Sequence, residues 1–193
     1  MIAILEYREG NTCSVRHALN RLGAEAVLTN DPQLLRSADK IIFPGVGHAG
    51  PAMAYLREKE LDTVIAGLRQ PVLGICLGMQ LMCRHTEEGN CNGIGIFATD
   101  VLQFKPDQEK VPHVGWNTVE HNTGHLFRGI TAQAYFYFVH GYYAAVCDDT
   151  AAGTNYILPF SAALQKNNFF GVQFHPEKSG HSGELLLYNF LKY

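Results

Sequence analysis

A cysteine framed by two glycines stands in "PVLGICLGMQLM", residues 71–82, where a run that reads as a buried strand gives way to one that reads as a helix. Gly74, Cys76 and Gly78 form the pattern G-x-C-x-G. A nucleophile on a sharp strand-to-helix turn gains three things: small neighbours tolerate a strained backbone and let a substrate approach, the side chain is lifted out of the sheet, and the helix N-terminus favours negative charge. Such a helix end favours the reactive thiolate, and the Leu77 amide is the natural first donor to an oxyanion. Alone, the pattern is better read as a small core cysteine whose glycines permit close helix-sheet packing, since motifs of this size recur by chance.

The second half of the chain holds a partner for it in "GVQFHPEKSG", residues 171–180. On an extended segment residues i and i+2 point to the same side, so His175 and Glu177 project together, with Pro176 stiffening the backbone between them. That suits a carboxylate fixing an imidazole whose other nitrogen reaches a thiol. Cys76, His175 and Glu177 together make a nucleophilic constellation. His17 and His85, on helix signals, His121 and His125, in a polar loop, and His181, near a helix start, read as solvated surface without metal-ligand spacing, so no metal is expected. His113 and His140 lie among aromatic residues and are less easily assigned to the surface.

Elements that could position these groups follow from periodicity. "MIAIL", "EAVLT", "KIIF" and "VLGIC" read as strands. Between them lie a helix over "TCSVRHALNRLG" stopped by Gly23, a short one capped by Asp31 with Pro32 in its first turn, and one with Leu61, Val64, Ile65 and Leu68 on a stripe. "LGMQLMCRH" reads as a further helix. Strands separated by such helices predict an α/β fold, an open and mostly parallel twisted sheet flanked by helices, with chemistry at the carboxyl ends of the strands. The second half is β-rich, with "GIGIFATDVLQF", "HVGWNTVEH", "AYFYFVHGYYAAV", "SAALQK" and "FFGVQFH" as segments and Asn167 with Asn168 as a hairpin turn. A closing helix covers "SGELLLYNFLKY", with Ser182 as its cap.

Composition sets the bounds. At 193 residues, 47% hydrophobic and 17% charged, the chain suits a single domain over 1–193 with a substantial core. A net charge of −3 gives no basic footprint for nucleic acid. No apolar run is long enough to span a membrane, and the start, "MIAILEYREGN", is too soon acidic for a signal peptide, so a cytoplasmic protein is expected. The 5 cysteines, without a CxxC pair, read as free thiols of a reducing compartment.

With these residues in view, the chain resembles the class I, or triad, glutamine amidotransferases. "GICLGMQ" is similar to that family's nucleophile elbow and "QFHPE" to its His-x-Glu segment. The resemblance implies a flavodoxin-like open sheet and a cysteine that attacks the side-chain amide of glutamine, giving a glutamyl thioester, ammonia and then glutamate, with no cofactor. "PGVG" at 44–47, "VPHVGWN" at 111–117 and "YFYFVHGYYA" at 135–144 resemble the members that serve a separate (β/α)8 cyclase in histidine biosynthesis, a heterodimer in which ammonia passes through an internal channel to a phosphoribosyl-type nucleotide. The match implies Cys76 as nucleophile, His175 as acid and base, Glu177 as orienter, and an oxyanion held by Leu77 and by a second amide from Val46 and Gly47. It implies glutamine recognition by Gly47, Gln80, Glu88, Gly141 and Tyr142, where Glu88 suits the ammonium group. The partner face would comprise Asn11, Pro112, His113, Val114, Gly115, Trp116 and Lys178. Trp116 fits either core packing or an interface anchor.

Two departures stand out. "EYREGN" replaces the family's Asp-Tyr-Gly start, and Gly141 replaces a serine, so any glutamine contact there falls to the backbone. Two other readings remain open: an amidotransferase subunit of another synthase, and a non-catalytic flavodoxin-like module with a reactive cysteine.

Overall fold

The computed structural model describes residues 1–7, 11–106, 109–121 and 124–193, except the side chain of His121. Three residues of the "EYREGN" segment, 8–10, lie outside the described residues. The first half alternates as its periodicity predicts: β1 (Ile2–Leu5), α1 (Thr12–Arg21), β2 (Ala26–Thr29), α2 (Pro32–Ser37), β3 (Lys40–Phe43), α3 (Ala49–Glu58), α4 (Leu61–Ala66), β4 (Val72–Ile75) and α5 (Leu77–Leu81). The rest is largely strand: β5 (Cys83–Thr86), β6 (Cys91–Asn92), β7 (Phe97–Gln103), β8 (His113–His121), β9 (Ala134–His140), β10 (Tyr142–Ala144), β11 (Thr150–Tyr156), β12 (Leu158–Lys166) and β13 (Phe169–Val172), before α6 (Gly180–Leu191).

Nine strands form one sheet in the order β2-β1-β3-β4-β13-β12-β11-β8-β9. Pairing is parallel from β2 to β13 and antiparallel from β13 to β9. A smaller sheet of four strands runs β10-β7-β5-β6. Side chains alternate across the large sheet, as strands buried on both faces require. Ile4, Ile42, Leu73 and Ile75 pack on one side with Val15 and Leu19 of α1 and Leu187 and Phe190 of α6. Ala3, Leu5, Ile41, Phe43 and Val72 pack on the other with Met53 and Leu56 of α3 and Leu61 and Ile65 of α4. No described helix is long and apolar enough to cross a membrane.

Local chemistry explains several boundaries. Asp31 accepts from the Gln33 and Leu34 amides and so caps α2. Asn167, at φ 52°, begins the two-residue turn joining β12 to β13, and the Asn168 side chain donates to the Leu68 and Gln70 carbonyls.

Three expectations are corrected. The helix expected through His85 ends at Leu81, and Cys83–Thr86 is β5, with His85 on a strand held between β7 and β6. Ser182 lies inside α6; the residue at its N-cap is Ser179, whose hydroxyl donates to the His175 carbonyl and accepts from the Tyr137 amide. His121 closes β8, and His125, in a 3-10 turn, bonds the Asn189 carbonyl at 2.8 Å. His181 lies where expected, near a helix start, in the first turn of α6.

Candidate active site

Three neighbouring parallel strands end at one place. β3 runs into Pro44–Gly47, β4 into Cys76 and β13 into Gln173–His175, and β4 sits between the other two. Cys76 therefore emerges with the "PGVG" loop on one side and the "FHPE" segment on the other, at the carboxyl edge where open α/β sheets place their chemistry.

The elbow is strained at the cysteine itself. Cys76 has φ 53° and ψ −109°, a combination that costs a residue with a Cβ on the order of 1–3 kcal/mol. The glycines serve close approach instead: a Cβ on Gly78 would collide with the Phe43 carbonyl, and one on Gly74 with Met82 and the Met79 amide. Cys76 N donates to the Val172 carbonyl at 2.8 Å, which ties the elbow to β13. Its side chain is 7% exposed, enough to face a pocket. By contrast Cys83 is wholly buried, and burial pushes its thiol well up, as suits an inert core thiol.

His175 lies across from the sulfur. The two residues line the same cavity, and Nδ1 of the ring lies 2.9 Å from Glu177 Oε1. The pair forms although the backbone is not extended throughout as expected: His175 is extended, but Pro176–Lys178 is a 3-10 turn. Both side chains are nearly sealed, at 3% and 1% exposed. Among the described residues Glu177 Oε2 has no hydrogen-bond partner, so this buried carboxylate is directed at the imidazole. Burial pulls the His175 pKa down, but the hydrogen bonds and charges of Cys76 and Glu177 outweigh it and raise it to about 10.

A cavity of about 310 Å³ opens over the sulfur, roomy enough for a free amino acid. Most of the residues expected at the site line it: Val46, Gly47, Cys76, Leu77, Gln80, Glu88, Gly141, Tyr142, His175, Lys178 and Pro112. Val46 and Gly47 sit in a loop, not a strand, and Gly47 is at φ 106°. Glu88 is fixed by accepting from the Ala49 amide at 2.8 Å. The Leu77 amide donates to the Gly45 carbonyl at 3.3 Å, so the first expected oxyanion donor already has an acceptor. The carbonyls of Gly141 and Tyr142 are also committed, the first to the Phe104 amide and the second to Gln80 Nε2 and His140 Nδ1.

The expected partner face divides. Asn11 is the N-cap residue of α1. Val114 and Trp116 point outward from β8, 57% and 55% exposed, so core packing is excluded for Trp116. Paired across β9 they meet Val139 and Tyr137, with Gly115 between them. His113 is corrected: strand alternation turns it inward, where it is 4% exposed and stacked between Tyr156 and Phe138. Its Nδ1 lies 3.1 Å from His140 Nε2.

Burial lowers His113 to about 4 and His140 to about 3, and both are neutral in the folded chain near neutral pH. The unfolded chain therefore binds protons that the folded chain refuses as pH falls below about 6.5, and stability drops on the acid side. His175 acts oppositely, its contribution complete below about 6.5 and lost as pH rises toward about 10. Urea denaturation across pH is expected to show a maximum near neutrality. Exchanging His113 and His140 together for glutamine should flatten the acid limb and spare the alkaline one; an unchanged acid slope would show that carboxylates set it.

Sequence reasoning missed Gln173. It is fully buried, with Nε2 3.6 Å from Cys76 Sγ and Oε1 2.8 Å from Gln80 Nε2. The signal was present: the i, i+2 relation that pairs His175 with Glu177 extends back to Gln173, a lone amide in an apolar run.

The family model for class-I glutamine amidotransferases matches residues 3–192. The chain is 57% identical to the imidazole glycerol phosphate synthase subunit HisH of Bacteroides thetaiotaomicron over 98% of each chain. It is 48% identical to the subunit of the same name from Yersinia pestis, over 99% of this chain and 98% of that one. Among solved structures, PurLQS of Thermotoga maritima superposes with a TM-score of 0.78 at 19% identity, covering 100% of this chain and 97% of that one. A glutamine amidotransferase of Thermotoga maritima gives 0.67 at 16%, covering 99% and 82%.

Proposed function

This chain belongs to the class-I glutamine amidotransferase family, and on that premise we propose that Cys76, His175 and Glu177 hydrolyse glutamine and that the ammonia passes to a separate cyclase subunit. The chain is the glutaminase subunit of an imidazole glycerol phosphate synthase, in histidine biosynthesis. The observation that carries the site assignment is the strained cysteine facing a buried imidazole backed by a buried carboxylate.

The chemistry follows from that geometry. With His175 protonated, the Cys76 sulfur attacks the side-chain amide carbon of glutamine as a thiolate, and the carbonyl electrons move to oxygen. As the tetrahedral adduct collapses, His175 gives its proton to the departing nitrogen, and ammonia leaves with a glutamyl thioester behind. Water then attacks the thioester, His175 takes its proton, and glutamate departs as the thiolate is restored. Glu177 holds the ring through Nδ1 and stabilises its charged form. Glu88 receives the substrate ammonium, and the Leu77 amide together with Val46 or Gly47 receives the oxyanion.

The partner is a (β/α)8 cyclase in a heterodimer. Support comes from the outer face of the β8-β9 pair, where Val114, Trp116, Tyr135 and Val139 are exposed on one side of a two-stranded edge, and from Lys178 and Pro112, which join this face to the pocket rim. Because the Gly45 carbonyl occupies the Leu77 amide, the free chain is expected to be a poor glutaminase until the 44–47 loop turns. Glutamate release is the test. It should be slow for the chain alone and rise by about a hundredfold or more with the cyclase and its nucleotide bound, a gain equivalent to one recovered oxyanion donor. Full activity of the isolated chain would reject the occupied-donor account, and stimulation by another synthase's acceptor, such as chorismate, would reject the partner.

A further inference from the structure

We propose that Gln173 is a positioning residue for the nucleophile: its side-chain amide, held in one orientation by Gln80, donates to the Cys76 sulfur and fixes it for attack. The proposal rests on the reading of Cys76 as the nucleophile.

The orientation of the two amides is dictated by their partners. The Tyr142 carbonyl can only accept, so Gln80 must present its NH2 group there, at 3.0 Å. The second hydrogen of that NH2 needs an acceptor, and the atom 2.8 Å away on Gln173 must therefore be its oxygen. That leaves the Gln173 NH2 facing Cys76 Sγ at 3.6 Å. The far end of the ladder is equally fixed, because His140 Nδ1 lies 2.7 Å from the same Tyr142 carbonyl. Each link removes an orientation from the next.

A pair of buried glutamines is a costly way to fill space beside β4 and β13, where apolar side chains would pack without desolvating an amide. Its geometry has a use at the sulfur. As a thiol, Cys76 has the Val139 carbonyl as acceptor at 3.8 Å; as a thiolate it can only accept, and among the described residues Gln173 offers it a neutral donor beside the charged His175. A neutral donor stabilises negative sulfur without adding a positive charge that would lower the His175 pKa and draw off the proton it must later give. Two donors two residues apart on the segment after β13 also restrict the sulfur to one position. The other ionisable groups around it are Glu177 behind His175, His140 on β9, and Glu88 and Lys178 on the pocket wall.

The test uses the assembled synthase with Gln173→Met, which keeps the volume and removes the donor, and Gln173→Glu, which keeps the shape and the Gln80 contact but turns an acceptor toward the sulfur. The readouts are glutamine-dependent kcat and KM and the pH profile of Cys76 alkylation by iodoacetamide. Gln173→Met is expected to lower kcat about tenfold, to leave KM within about twofold because the side chain is out of the pocket, and to move the alkylation profile upward by about one pH unit. Gln173→Glu should move it further, and Gln80→Met, which frees Gln173 to turn, should move it in the same direction by less. Alkylation profiles that coincide with that of the unaltered protein overturn the proposal even if kcat falls, since damaged packing alone slows turnover without moving the profile. If one variant does not fold, the other two carry the same comparison. Glutamine hydrolysis that survives in Cys76→Ala would remove the premise instead, a result independent of the Gln173 series.

Discussion

Cys76→Ala is expected to abolish glutamine-dependent synthesis, with a loss of about three orders of magnitude or more, while the assembled enzyme continues to run on added ammonia. The size follows from the division of labour at the site. Alanine leaves the pocket, the His175–Glu177 pair and the outer face of β8 and β9 as they are, so glutamine and partner binding have no reason to fail. What disappears is the atom that forms the thioester, and water must then attack an amide directly. Alanine is also a clean replacement structurally: the sulfur is a small part of the core, and the alanine side chain would face the same φ strain that Cys76 already bears at 53°. Retained ammonia-supported synthesis with lost glutamate release is the pair of measurements to make. Turnover of glutamine by the alanine variant would remove Cys76 from the mechanism.

Gly78→Ala is expected to destabilise the chain by about 3 kcal/mol or more and to abolish glutaminase activity with it. The added methyl meets the backbone carbonyl of Phe43, at the end of β3, and no side-chain rotation relieves that clash. Relief requires α5 to move off the sheet, and α5 carries Leu77 and Gln80, so strain there reaches the oxyanion donor and the amide ladder together. Gly141→Ala is the control. A Cβ at 141 would find Pro112 and Val111 at ordinary contact distances of 3.9 and 4.0 Å, and its effect on stability should be within about 0.5 kcal/mol. Denaturation midpoints of the two variants check the contrast; equal small shifts would show that the elbow is more yielding than its contacts imply.

These residues also mark what could be read from the chain before its structure. The cluster of Cys76, His175 and Glu177 was legible because its signals are local: two glycines around a cysteine, and a His-Pro-Glu run. Their convergence followed from alternating strands and helices, since β4 and β13 come together only if the sheet is parallel there. α2 was legible down to its cap because Asp31 and Pro32 act on adjacent backbone. α3 escaped because Gly50 and Pro51 in its first turn weaken its helical signal, and β11 because "TAAGTNY" has few large apolar residues; both are fixed by what they pack against. β5 was misread for the same reason, its strand character coming from β7 and β6 and not from its own pattern. His113 was placed on the wrong side because "PHVGW" was taken as one surface, whereas a strand sends neighbours to opposite faces: Val114 and Trp116 outward, His113 into an aromatic stack. The partners of Gln173 and the acceptor of the Leu77 amide are contacts between distant segments, which no local pattern reports.

The central claim is a covalent one: that glutamine is opened by the sulfur at position 76. The assembled synthase, with its nucleotide bound, can be mixed with glutamine, quenched in acid within a turnover, and digested for mass spectrometry. The account predicts a peptide spanning the elbow that carries the mass of one glutamyl group on Cys76, labile to hydroxylamine and absent from Cys76→Ala. A glutamyl group on any other residue, or sustained glutamate release in the Cys76→Ala enzyme, would contradict it.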